Sequence, residues 1–340
     1  MKKVPIMRLI DPGHPTDKYQ AGLITAWKHS TDFHNANQDN RMSPNLLVIL
    51  GATATGKTRL AVAAARALNG EIISADSRQV FRRMDIGTGK DLAEYGAVPY
   101  HLIDILEPGA EFSVFDFQRA FGAAFDQIRQ RGRLPVLAGG TGLYLDAVLR
   151  GYQLVEVPEN PELRRELMGL DLMELRARLL TLKPAQHNTT DLNERERLVR
   201  AIEIAQGEQA ARGAALSLPA LQPLVFGVRW ERSALRQRIA ERLRQRLEQG
   251  LIEEVQDLQR SGLDWQRLER YGLEYRLVAE FLQEQLSRQD MIRQLTTAIQ
   301  QFAKRQETWF RRMERQGVAI HWLDGAGDTL AELLAAWRSA

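Results

Sequence analysis

The run Leu46-Leu47-Val48-Ile49-Leu50, followed by Gly51-Ala52-Thr53-Ala54-Thr55-Gly56-Lys57-Thr58, decides the reading of this chain. Five consecutive apolar residues closed by a glycine predict a buried strand. The stretch from Arg59 to Leu68 is rich in alanine and leucine and predicts a helix. Strand, G-x-x-x-x-G-K-[ST] loop and helix, in that order, make a phosphate loop. Successive backbone N–H groups and a helix N-terminus turn onto one polyphosphate. Lys57 adds a point charge, and the Thr58 hydroxyl can hold Mg²⁺. The pattern specifies a polyphosphate but not its fate, and alone it reads as an ATP site.

Outward from the loop, β and α patterns alternate. Candidate strands lie at 46–50, 71–75, 100–105, 134–138, 224–228 and 319–323. Helices are expected at 57–68 and at about 114–131, the second opened by Ser113 and stopped by Gly132. Such alternation implies an α/β fold, a P-loop NTPase-like parallel sheet flanked by helices. The alternation breaks at Pro158-Glu159-Asn160-Pro161, and from 161 to about 213 the chain reads as charged helix. Residues 45–155 and 221–340 are therefore expected to form the core, and 156–220 a helical insertion. Residues 1–44 are polar and lack periodicity, which predicts an extension without fixed structure, and Met42 is a candidate start.

Leu235, Ile239, Leu243, Leu247, Leu251, Val255 and Leu258 predict one long amphipathic helix. Arg238, Arg242 and Arg246 form a basic ridge beside that stripe. The ridge is either a solvated face or, if turned toward the phosphate loop, a phosphate clamp. Further helices are expected at about 289–316 and 328–338.

Composition narrows the class. The 340 residues contain no cysteine, so neither a disulfide framework nor a thiolate zinc site is available. Six scattered histidines argue against a transition-metal site built by the protein. No apolar run reaches membrane-span length and no signal peptide is apparent, so a cytoplasmic protein without a membrane role is expected. The net charge is only +3, but residues 229–315 hold 18 Lys/Arg against 14 Asp/Glu. That surplus is either a solvated helical surface or a footprint for nucleic acid.

Three further constellations carry chemistry. Asp76-Ser77-Arg78-Gln79 follows the second strand, whose carboxyl end opens on the same crevice as the phosphate loop. Asp76 there can accept a proton from a nucleophile, and its polar neighbours can read a base edge. The bland alternative is a turn aspartate. Gly139-Gly140-Thr141-Gly142 lets backbone approach a ligand, and the Thr141 hydroxyl can contact it. Asp104 is the candidate outer-shell Mg²⁺ ligand. Lys304-Arg305-Gln306-Glu307-Thr308-Trp309-Phe310-Arg311-Arg312 interleaves cations with aromatics, as a nucleic-acid surface or as an amphipathic helix with its aromatics in the core.

These motifs together resemble the tRNA dimethylallyltransferase (tRNA isopentenyltransferase) family. The resemblance runs from about residue 46 to 323. It rests on the phosphate loop, on Asp76-Ser77-Arg78-Gln79-Val80-Phe81 with Met84-Asp85-Ile86-Gly87-Thr88, and on His101-Leu102-Ile103-Asp104. It continues through Gly139-Gly140-Thr141, Arg200-Ala201-Ile202-Glu203, Arg238-Ile239 with Arg242, and Ala303-Lys304-Arg305-Gln306 with Thr308-Trp309. It implies that dimethylallyl diphosphate binds with its diphosphate in the loop at Thr53 to Thr58. The allyl group would pass to N6 of adenosine 37 of tRNAs reading codons that begin with U, and diphosphate would leave. By the same resemblance Asp76 is the base, Lys57 and Arg242 hold diphosphate, and Thr58 holds Mg²⁺. Thr141 and Arg164 would contact substrate or tRNA. Glu196-Arg197-Leu198-Val199-Arg200 and Lys304, Arg305, Gln306 and Arg311 would contact the anticodon stem-loop of a tRNA bound by a monomer. The sequence departs from the family at Arg270-Tyr271-Gly272-Leu273-Glu274-Tyr275-Arg276, where Gly-Tyr-Lys is usual, at Ile299-Gln300, where Thr-Arg is common, and at Gly87-Thr88-Gly89-Lys90-Asp91. A free-adenylate isopentenyltransferase, a P-loop small-molecule kinase and an RNA-binding NTPase switch are the rival readings.

Overall fold

A computed structural model describes residues 43–183, 194–210 and 216–340. The polar extension, up to residue 42, lies outside the described residues, as do parts of the expected helical stretch. Strand β1 (Leu46–Gly51) leads through the phosphate loop into helix α1 (Lys57–Ala67), then β2 (Gly70–Ala75) and β3 (Tyr100–His101). Helix α2 (Val114–Gln130), β4 (Leu134–Gly139) and α3 (Gly142–Leu149) follow. Three helices come next, α4 (Pro161–Leu167), α5 (Leu172–Leu182) and α6 (Arg195–Ala210). Beyond β5 (Pro223–Arg229) lie α7 (Arg232–Glu248), α8 (Leu251–Arg260), α9 (Trp265–Glu269), α10 (Leu273–Leu282) and α11 (Arg288–Arg315). The chain ends in β6 (His321–Asp324) and α12 (Thr329–Arg338).

The six strands form one parallel sheet in the order β3-β2-β4-β1-β5-β6. β1 is buried throughout and feeds both faces. Leu46, Val48 and Leu50 enter the core under α2, α3 and α11. Leu47 and Ile49 enter the core under α1 and α12. A strand covered on both sides reads as a continuous apolar run rather than an alternating one, which is the form of 46–50. α2 starts where expected, with a reciprocal cap between Ser113 and Asp116. A third core joins α7, α8, α10 and α11, and α4, α5 and α6 share a separate cluster around Leu167, Leu175, Leu198 and Ile202.

Two expected elements differ. The strand expected at 100–105 stops at His101, because Leu102 and Asp104 have φ of 63° and 56°. Left-handed residues cannot continue a ladder. The single helix expected from Leu235 to Leu258 is two, separated at Gly250 with φ of 102°. The apolar period survives the break because both helices bury their stripes in the same core.

Candidate functional site

Parallel register brings three strand ends together: Ala75 pairs with Gly139, and Leu50 pairs with Gly139. The approach is close. A Cβ on Gly139 would lie 2.2 Å from the Ala75 carbonyl oxygen, so only glycine fits. Over these ends opens a cavity of about 690 Å³. The phosphate loop, residues 76–79, 87–89, 139–143 and 269–276, and α11 form its walls.

The phosphate loop is shaped from within. The Thr55 hydroxyl donates to the Ala52 carbonyl at 2.8 Å, and Gly56 takes φ of 85°. Gln306 of α11 reaches in from far along the chain. Its Oε1 accepts from the Thr53 N–H at 2.9 Å, and its Nε2 donates to the Gly140 carbonyl at 2.8 Å. The Thr53 N–H is thereby occupied, so the donors facing a ligand begin later in the loop. Lys57 and Thr58 line the cavity. Burial, and then the nearby Arg242, lower the Lys57 pKa to about 8.

Asp76 and Thr141 line the cavity together. Asp76 Oδ1 accepts from the Arg78 N–H at 2.9 Å, and Thr141 Oγ1 accepts from the Ser77 N–H at 3.1 Å. The turn aspartate and the site aspartate are thus one residue, with the turn fixing where its carboxylate points. Gln79, by contrast, spends its amide internally. Its Oε1 accepts from Ser74 at 2.9 Å and its Nε2 donates to the Gly89 carbonyl at 3.1 Å. Those two bonds fix the amide in place, and the residue lines the cavity in that fixed orientation.

The arginine ridge of α7 faces the loop. Arg238 Nε donates to the Ala54 carbonyl at 2.9 Å. Arg242 pairs with Asp91 at 2.5 Å and lines the cavity. Arg246, almost fully buried, pairs with Glu274 at 3.2 Å. Glu274 stands in the stretch that departs from the family. Burial pushes its carboxyl pKa up, and Arg246 opposes that shift.

Several expected site residues are used otherwise. Asp104 is bound to Lys90, itself fully buried and paired with Asp85 at 2.6 Å, and it does not line the cavity. Its left-handed backbone turns the carboxylate to that lysine, which corrects the outer-shell Mg²⁺ assignment. Arg164 is spent on Glu159 at 2.6 Å and on the buried Glu203 at 2.7 Å, and is not among the lining residues. Arg200 also holds Glu203, at 3.1 Å, and donates to the Val157 carbonyl. Leu198 is fully buried in the α4–α6 cluster, which corrects its assignment as an RNA contact, whereas Arg197 of the same helix lines the cavity. Glu196 is exposed and pairs with Arg270 at 3.4 Å, while the neighbouring Val199 packs at the edge of the cluster. On α11, Lys304 and Arg311 are exposed, Arg305 lines the cavity, and Phe310 is buried. Sequence reasoning missed Lys90 and Glu254. The Glu254 carboxylate accepts N–H bonds from Asp85, Ile86 and Gly87, and nothing local in the sequence signals that contact.

Among the described residues, no group of three or more acidic or histidine side chains is placed to hold a metal, and no helix is long and apolar enough to cross a membrane. The Thr58 hydroxyl lines the cavity, and its chemistry fits a magnesium ion that would take most of its ligands from a substrate's own oxygens.

Residues 79–313 match the family model described as IPP transferase, and residues 44–95 match one described as isopentenyl transferase. The tRNA dimethylallyltransferase 2 of Syntrophotalea carbinolica is 68% identical over 298 residues, covering 88% of this chain and 100% of that protein. The crystal structure of the tRNA isopentenylpyrophosphate transferase of Bacillus halodurans is 34% identical, with a TM-score of 0.63, over 87% of this chain and 95% of that one. A eukaryotic dimethylallyltransferase solved acting on tRNA shares the fold, with a TM-score of 0.69 at 23% identity over 86% of this chain and 78% of its own.

Proposed function

The chain belongs to the IPP transferase family, and from that membership and the cavity we propose how it works. It is an enzyme that transfers a dimethylallyl group from dimethylallyl diphosphate to N6 of adenosine 37 in tRNA, releasing diphosphate. The observation that carries the site reading is one cavity holding Asp76, Lys57 and Arg242 together over the phosphate loop.

The roles follow from the chemistry. An allylic carbon stabilises positive charge by resonance, so the demanding part is the departing diphosphate. Lys57, Arg242 and the inward N–H groups of the loop stabilise that charge without reorganising. Asp76 takes the proton that N6 loses as the new C–N bond forms. Thr141 supports Asp76 through Ser77. A magnesium ion, held by Thr58 and the diphosphate oxygens, would add charge stabilisation on the leaving group.

The adenine must leave its stack to enter such a cavity. Arg197, Arg305 and Phe302 on the cavity wall, with Lys304 and Arg311 on the exposed face of α11, support an anticodon stem-loop gripped through phosphate and shape. We read 156–220 as a helical insertion that shares this grip, and the enzyme as a cytoplasmic monomer. A nucleotide acceptor needs none of these cations, which disfavours the free-adenylate alternative. The test is purified protein with Mg²⁺, dimethylallyl diphosphate and unmodified tRNA, read by nucleoside mass spectrometry, with AMP as a second acceptor. N6-isopentenyladenosine in the tRNA is expected. Its absence, or product on AMP alone, would sink the reading.

A further inference from the structure

Outside the cavity lining, Trp230 and Arg238 grip the back of the phosphate loop. Trp230 Nε1 donates to the Thr55 carbonyl at 3.0 Å, and Arg238 Nε donates to the Ala54 carbonyl at 2.9 Å. The two side chains are stacked, with the guanidinium carbon 4.1 Å from the ring centroid. The seat for the indole is built: a Cβ on Gly325 would lie 2.0 Å from Trp230 Nε1, so the loop after β6 leaves room for it. Neither contact touches a ligand site directly.

Peptide planarity gives these contacts a consequence. In a trans peptide the carbonyl and the N–H point in opposite directions. The Ala54 carbonyl shares its plane with the Thr55 N–H, and the Thr55 carbonyl shares its plane with the Gly56 N–H. Holding both oxygens outward aims both N–H groups at the cradle. Ala54 also holds φ of 63°, a left-handed conformation that a non-glycine residue keeps only when its surroundings hold it there.

We propose that Trp230, with Arg238 stacked on it, is a positioning residue for diphosphate: it fixes the planes of the 54–55 and 55–56 peptides so that their N–H groups are aimed before the ligand arrives. This rests on the diphosphate occupying the loop, as argued above. Arg238 thereby serves the anion mainly through the backbone rather than as a point charge, unlike its neighbour Arg242.

The test titrates the full-length enzyme with inorganic pyrophosphate by calorimetry and measures KM for dimethylallyl diphosphate and for tRNA separately. Trp230→Phe keeps a ring for Arg238 and removes the indole donor. Losing one such bond predicts about fivefold weaker pyrophosphate binding and a matching rise in KM for the prenyl donor. KM for tRNA should stay within about twofold, as a contact remote from RNA predicts. Arg238→Lys keeps the charge, loses the Nε donor, and should show the same pattern, including where Trp230→Phe folds poorly. Unchanged pyrophosphate affinity in both variants overturns the inference. So does a fall in kcat with both KM values intact, which marks a merely structural role. If the unsubstituted enzyme does not bind pyrophosphate, the diphosphate reading itself falls, and this inference with it.

Discussion

Glu254→Gln tests how one wall of the cavity is held. The Glu254 carboxylate, in the first turn of α8, receives four hydrogen bonds. Oε2 accepts from Asp85 N–H and Ile86 N–H at 2.7 Å each. Oε1 accepts from Gly87 N–H at 2.9 Å and from the Tyr275 hydroxyl at 2.8 Å. Three successive N–H groups converging on one anion form a nest, filled here by the protein's own side chain. Glutamine keeps one oxygen, enough for two of the four donors, and turns an NH₂ toward the others. Two charge-assisted bonds disappear: with the oxygen kept on Asp85 and Ile86, the Gly87 N–H and the Tyr275 hydroxyl lose their acceptor. At about 1.5–3 kcal/mol for each bond to a charged acceptor, partly recovered by relaxation, the loss is about 3 kcal/mol. Against a total stability of about 5–15 kcal/mol that is readily seen in urea denaturation. The loop also carries Gly89, whose carbonyl accepts from Gln79 at 3.1 Å and from Arg242 at 3.5 Å. KM for the prenyl donor should therefore rise with the loss of stability. A change in stability below about 0.5 kcal/mol, typical of an ordinary surface substitution, would refute the nest as the anchor of this wall.

Asp76→Asn should lower kcat by about 10²–10⁴-fold, the range for a lost general base, with tRNA affinity kept; full activity would show that the proton goes elsewhere. Burial, and then the nearby Arg242, hold the Lys57 ammonium down to about 8 in the folded chain, against an ordinary 10.5. In that window the unfolded chain binds more protons, so the ligand-free enzyme gains stability as pH rises from 8 toward 10.5. A bound diphosphate favours the ammonium, so donor binding at pH 8.5 should take up protons, seen as a buffer-dependent heat that Lys57→Arg abolishes; equal heats in the two buffers would contradict it. Glu71, buried at the start of β2, is held below its ordinary pKa of 4.5, first by its bonds to Arg131 and then by His101, with burial opposing. Its stabilisation is present above pH 4.5 and lost as pH falls through the depressed folded value. Glu71→Gln should cost about 3 kcal/mol at pH 7, as for a broken buried pair, and the gap should close as pH falls through the depressed folded value. A gap that stays constant with pH would refute the ionic account.

The parts of the fold legible in sequence were those set by local pattern. The run Leu46 to Leu50 is apolar on both sides because β1 is covered on both faces, and the loop after it has a fixed chemistry. Asp76 was legible for a different reason: strand ends in a parallel sheet share a crevice, so a polar residue just past β2 had to face the loop. What stayed hidden depended on backbone turns inside apolar runs. Leu102 and Asp104 bend left-handed, and that bend gives Asp104 to Lys90 rather than to the cavity. Helical periodicity places Arg238, Arg242 and Arg246 on one face relative to the leucine stripe. It cannot say what lies opposite that face, because this is settled by packing against residues about 150 to 185 positions away.

Gln306 shows where composition misleads. In sequence it sits between Arg305 and Trp309 and reads as part of a basic, aromatic RNA surface. In the structure it is buried, and its one amide ties the Thr53 N–H to the Gly140 carbonyl. A Cβ on Gly140 would meet Gln306 Nε2 at 2.5 Å, so the glycine is required by the glutamine as much as by any ligand. The same turn of α11 presents Lys304 outward and Arg305 to the cavity. One helix therefore fixes the phosphate loop with one face and presents cations on the next, the face that the proposed function gives to RNA. A shift of α11 when RNA binds would move Gln306, and through it the Thr53 end of the loop. That gives the motif a reason to keep its cations and its amide adjacent, which neither an RNA surface nor a core helix alone requires.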